Sequence, residues 1–244
     1  MRLKQELITI LKKSFSLTMK APLLWIFFYI FVILSLLIDN YLPSGVSKLS
    51  SFFLVFLTLG LPALKVEFLD NIDQDKKVQF KQTIPLLIKY FKKLLFVTVF
   101  LFILGIIFSF ISSLTIYILV DLIKVVSKPS TIELIQMITF LPLAVIYFSL
   151  FHLFIVVLVK AKKNVFESLI ISLTFIKKNL KIVSLIILFS LIIHYPVSDL
   201  LMFIVNKLFF AIDSIWITAV LAFFNVIIDL FFFATWLVLY KKKS

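Results

Sequence analysis

The stretch "VFESLIISLTFIKKNLKIVSLIILFSLII", Val165 to Ile193, sets a lysine-studded segment directly against an almost wholly apolar one. Lys177, Lys178 and Lys181 fall within five positions, and the residues that follow are nearly all Ile, Leu, Val or Phe. The first half suits a helix at a membrane surface, with its apolar face in the acyl boundary and its lysine stems extended so that the ammonium groups meet lipid phosphates. The second half has no polar face and needs an apolar solvent on every side. Each lysine beside an anionic leaflet contributes about 1 kcal/mol, so the basic half sets the angle at which the apolar half leaves the surface. The simpler alternative is flanking charge that only sets orientation.

Composition extends this reading to the whole chain. Of 244 residues, 63% are hydrophobic and 15% charged, against roughly half and a quarter in an average soluble protein. The absence of cysteine excludes disulfides and thiolate metal sites. The net charge of +13 would suggest nucleic acid in a soluble protein, but here the lysines sit at the ends of apolar runs, so nucleic acid is not expected as a partner.

Six runs approach the roughly 20 residues that cross a bilayer core: Ala21–Ile38, Ser51–Val66, Leu94–Val120, Met137–Val159, Leu180–Pro196 and Ile217–Tyr240. They lack the alternation of a membrane barrel, so the expected fold is all-α, a polytopic helical bundle. An even number of spans puts both termini on one side. That side holds 21 of the 25 Lys and Arg residues, and the other holds Lys48, Lys124, Lys128 and Lys207. The asymmetry predicts a multi-pass plasma-membrane protein with both ends cytoplasmic. The N-terminus lacks a cleavage site of small residues, so the first span is expected to be retained.

The opening stretch has counterparts in Leu7–Leu23 and Gln79–Leu95. Aligned on Lys20, Lys92 and Lys178, each basic stretch runs into a span and is followed by a returning one. The single membrane domain, 1–244, thus divides into units of about 1–66, 79–159 and 165–240, each a hairpin introduced by a basic amphipathic interfacial helix. Leu7–Met19, Thr83–Tyr90 and Val165–Ile176 are expected to be helical and steeply inclined to the spans they precede. Lys12, Lys13, Lys20, Lys89, Lys92, Lys93, Lys177, Lys178 and Lys181 are the candidate contacts to anionic lipid head groups.

Three stretches carry a family resemblance: "GLPALKVEFLDNIDQDKKVQFKQTIPLLIKYFKKLL", "VKAKKNVFESLIISLTFIKKNLKIVSLIILF" with Ser172 and Lys178–Asn179, and the ending "FFFATWLVLYKKKS". In these the chain resembles the membrane domain of glycerophosphoryl diester phosphodiesterases and related six-span bacterial and archaeal families. The resemblance implies six spans. It implies no phosphodiesterase activity, because these 244 residues leave no soluble region large enough for that catalytic domain.

Within the spans, Asp229 in "NVIIDLFFF" is the most informative residue. A carboxylate at bilayer centre costs about 2.5–3.5 kcal/mol on insertion scales, and more if it stays charged and unpaired. Asn225 lies one turn earlier on the same face, and His152 lies at a depth within roughly 6 Å of Asp229 when each is counted back to the next lysine. Lys65, at the end of the second run, is counted with the loop. The carboxyl is therefore expected to lack a basic partner, to be neutral, and to hydrogen-bond Asn225 or His152. His194, Trp25, Trp236 and Tyr240 read as interfacial groups, "EFLDNIDQD" as a solvated connector, and Asp121–Gln136 and Leu200–Ile212 as outer surface segments.

No catalytic, metal or cofactor motif is present: there is no His-Glu-x-x-His pair, nucleophile elbow or phosphate loop, and no second carboxylate to join Asp229. The expected function is that of a non-catalytic scaffold or accessory subunit of a transport or cell-envelope system, with other membrane subunits as partners. Two alternatives stand beside it. One is a small transporter or channel with a polar track at Asp229, Asn225 and His152; the other is an anionic-lipid-binding or lipid-handling protein.

Overall fold

A computed structural model describes residues 2–41, 60–118, 149–194 and 214–244. All of the regular structure among them is helical. The helices are α1 (Arg2–Met19), α2 (Pro22–Tyr41), α3 (60–73), α4 (Thr83–Tyr117, after a 3-10 turn at Phe80–Gln82), α5 (Ser149–Ala161), α6 (Val165–Lys178), α7 (Leu180–His194) and α8 (Ser214–Lys243). The expected segments Ser51–Leu59, Asp121–Gln136, Leu200–Ile212 and Tyr195–Pro196 lie outside the described residues, as do Lys48, Lys124, Lys128 and Lys207.

Helices α3, α5 and the second half of α8 form the centre. No residue is exposed from 60 to 73, from 149 to 161 or from 226 to 241. Leu153 to Val159 are buried without interruption, as are Phe232 to Leu239. A helix buried all round needs no polar face, which is why these two sequences have no helical periodicity of hydrophobicity. Trp236, 1% exposed, is therefore a core residue and not an interfacial one.

The surrounding helices carry an apolar outer face. On α2, Leu23, Ile26, Ile30, Leu34 and Leu37 are exposed at helical spacing while Leu24 and Phe28 turn inward. On α4, Val99, Ile103, Ile106, Phe110 and Leu114 are exposed in the same way. Within the described residues, Thr218–Lys243 is long and apolar enough to cross a membrane, and Leu3–Met19 with Pro22–Ile38 passes the same test as one pair bent by 72°.

That bend has a local cause. Pro22 opens α2, where its missing N–H is no loss, and it cannot continue α1. The Trp25 indole N–H donates to the Thr18 carbonyl at 2.9 Å and pins the corner. At the other expected break, Asn179 separates α6 from α7, and its side-chain amide donates to the Phe175 carbonyl at 3.0 Å. The start of α6 is fixed by Asn164, which accepts from the Glu167 N–H and donates to its carboxylate, both at 2.8 Å.

The third expected break is not there. Thr83–Tyr117 is one helix of 35 residues, about 52 Å long, so Thr83–Tyr90 is its first two turns and not a separate interfacial helix. No proline or cap residue stands near Tyr90 to end it. Leu7–Met19 is helical within α1 and steeply inclined to α2, as expected, and it packs on α8. Glu6 meets Lys242 and Lys243, Ile10 lies beside Val238, and Phe15 and Thr18 lie beside Ile227 and Phe231, so α1 runs antiparallel along α8.

Small residues permit this approach. Ser14 and Thr18, both fully buried on the α1 face, return their hydroxyls to the Ile10 and Ser14 carbonyls at 2.7 and 2.9 Å. Ser172 on α6 does the same to Ser168 at 2.7 Å. Such faces let helix backbones approach closely where lipid gives no hydrophobic push. Because the Ser14 hydroxyl is satisfied within its own helix, Ser14→Ala is expected to change stability by less than about 1 kcal/mol. Ser14→Phe overpacks the contact with α8 and is expected to cost about 1–3 kcal/mol, read by thermal unfolding in detergent.

Candidate functional site

Three side chains from three helices meet in the centre. Asp229 of α8 pairs through Oδ2 with the ammonium of Lys65 on α3, and its Oδ1 lies 3.1 Å from His152 Nε2 on α5. Lys65 supplies the basic partner that the sequence reading denied to Asp229, so the expectation of a carboxyl without a counter-charge is corrected. His152 is where that reading put it. Asn225 is exposed one turn away and is not part of the cluster. His194 ends α7.

The ammonium of Lys65 lies 5.3 Å from the centre of the Phe28 ring and 5.7 Å from that of Phe233. The His152 ring stands 4.3 Å from the Phe233 ring. The Lys65 and His152 side chains are 15% and 10% exposed, whereas Asp229 keeps 31% of its surface open.

A second charged layer lies toward the helix ends. Asp70 accepts from Lys160 of α5 at 2.8 Å and pairs with Lys241 of α8 at 2.6 Å. Asp73 pairs with Lys241 at 2.6 Å and with Lys13 of α1 at 3.1 Å. The stretch read as a solvated connector is thus helical through Asp73, and its acids tie α1, α3, α5 and α8 together. In every central helix the deep residue precedes the one in the shallow layer: Lys65 before Asp70, His152 before Lys160, Asp229 before Lys241. The three helices therefore run parallel. Helical side chains lean toward the N-terminus, so Lys65 leans away from the shallow layer and reaches Asp229, whose backbone is about 18 Å from Lys241.

The candidate head-group lysines divide. Lys13 is spent on Asp73, and Lys93 donates to the Lys163 carbonyl at 3.0 Å. Lys89 lies 4.9 Å over the Tyr90 ring. Lys12, Lys20, Lys92, Lys177, Lys178 and Lys181 are exposed. Sequence reasoning missed Lys65, Asp70, Asp73, Lys160 and Lys241; the signal was the run Lys65, Asp70, Asp73 inside "LKVEFLDNID", at spacings a continuous helix can present inward.

Removing one partner of a buried ion pair leaves a charge uncompensated. Lys65→Met is expected to cost about 3–5 kcal/mol in a reversible unfolding assay. His152→Leu removes a hydrogen-bond partner of Asp229 and the ring contact with Phe233, and should cost about 1–3 kcal/mol.

The shallow layer makes a pH prediction. Burial pushes the Asp70 carboxyl up, but Lys160 and Lys241 more than offset this and hold it below the usual carboxylate range; Lys241 and Lys13 do the same for Asp73. A lowered folded value means the stabilisation is complete above the unfolded value of about 3.9 and is lost as pH falls through the folded one. The unfolding temperature is expected to fall below about pH 4, and the Asp70→Asn, Asp73→Asn double variant should lose stability at neutral pH and show a shallower acid dependence.

Comparison of the chain with protein-family models, with curated proteins and with solved structures found no match.

Proposed function

We propose that this chain is a six-span membrane protein with both ends cytoplasmic, acting as a non-catalytic component of a transport or cell-envelope assembly. The observation that carries this reading is the use made of the interior charges. Both oxygens of Asp229 are engaged by side chains from other helices, and Asp70 and Asp73 of α3 are paired with lysines of α1, α5 and α8. Polar groups spent on joining helices are what a membrane scaffold requires. The exposed apolar faces of α2 and α4 support lipid as the surrounding solvent, since a water-soluble chain rarely exposes such stripes. The lysines left exposed on α1, α4, α6 and α7 suit an anionic leaflet.

A reporter fused after Ser244 is expected to be active in the cytoplasm, and affinity purification in mild detergent should retain a second membrane protein. A chain isolated alone under every mild condition would count against the assembly role.

The openness of Asp229 favours a second reading, a small transporter working through Asp229 and His152. Liposome flux that survives Asp229→Asn would remove that residue from any transport mechanism.

A further inference from the structure

The surroundings of the Lys65 ammonium have the character of a ligand cage. Phe28 of α2 and Phe233 of α8 face it at 5.3 and 5.7 Å, and the Asp229 carboxylate contacts it directly. His152 supports the walls from behind, against both the Phe233 ring and Asp229 Oδ1. We infer that this cage is a binding site for a small organic ammonium ion, in which Lys65 is a tethered and exchangeable occupant.

The chemistry of the walls selects the ligand. Aromatic faces with one carboxylate are the groups that hold alkylammonium ions. Calcium and magnesium take six or more oxygen ligands, and here one carboxylate is the only acidic group that meets the ammonium among the described residues. The construction permits exchange. The walls belong to α2 and α8, while the occupant arrives from α3 on a flexible four-carbon stem, so it can withdraw without dismantling them. Asp229 keeps 31% of its side-chain surface open, more than Lys65 or His152.

This inference does not depend on the scaffold reading, and its failure would leave that reading intact. The test is a thermal-shift titration of the full chain in detergent with propylammonium chloride, against sodium chloride and propanol. The wild type is expected to be stabilised by propylammonium and not by the other two. Lys65→Met, which removes the competing ammonium, should bind propylammonium at least about tenfold more tightly, the scale of a desolvated cation–π contact. Adding Asp229→Asn to that variant should abolish the gain. If Lys65→Met does not fold, Phe28→Leu in the wild-type background should weaken propylammonium binding by several-fold. Stabilisation of Lys65→Met alone, with none of the wild type, would make Lys65 a permanent plug and overturn the exchange. Equal responses to propylammonium and sodium, or to propylammonium and propanol, would overturn the site.

Discussion

Asp229 imposes the constraint from which the rest of the arrangement follows. A carboxylate about 18 Å along an apolar helix from its nearest lysine cannot reach water-level charge on its own helix, so the counter-charge must come from another. Lys65 provides it from α3, and His152 takes the second oxygen from α5. Satisfying one residue thus brings three helices together and fixes their relative depth. The shallow layer of Asp70, Asp73, Lys160 and Lys241 then locks the same three helices a second time, which fixes their direction.

The central helices α3, α5 and α8 correspond to the second, fourth and sixth apolar runs, and each brings one polar residue to the deep layer. The first, third and fifth runs correspond to α2, α4 and α7, which keep exposed apolar residues. Among the described residues the helices that carry the paired charges thus lie inside, and those with exposed apolar stripes lie outside.

The helical class, one apolar helix long enough to cross a membrane at the chain's end and the meeting of His152 with Asp229 were legible in the sequence, because apolar run length and depth counting depend only on local spacing. Two of the three expected breaks were legible for the same reason: Pro22 and Asn179 are local signals. The continuity of α4 was misread because basic residues at Lys89, Lys92 and Lys93 were taken to end an interfacial helix, although lysine is a good helix former and ends nothing by itself. Lys65 was hidden by its position at the end of an apolar run, where it resembles an orienting charge. Trp236 and the acids of α3 were misplaced because burial depends on which helix is central, and that is decided by contacts between distant segments.

The central claim is that Lys65 and Asp229 form one stabilising unit across α3 and α8. The direct measurement is a double-mutant cycle with Lys65→Met and Asp229→Leu, each variant followed by reversible unfolding in detergent. The account predicts that the double variant is markedly more stable than the sum of the single losses, with a coupling of about 1–3 kcal/mol, because removing both charges leaves nothing uncompensated. Additive losses would contradict it.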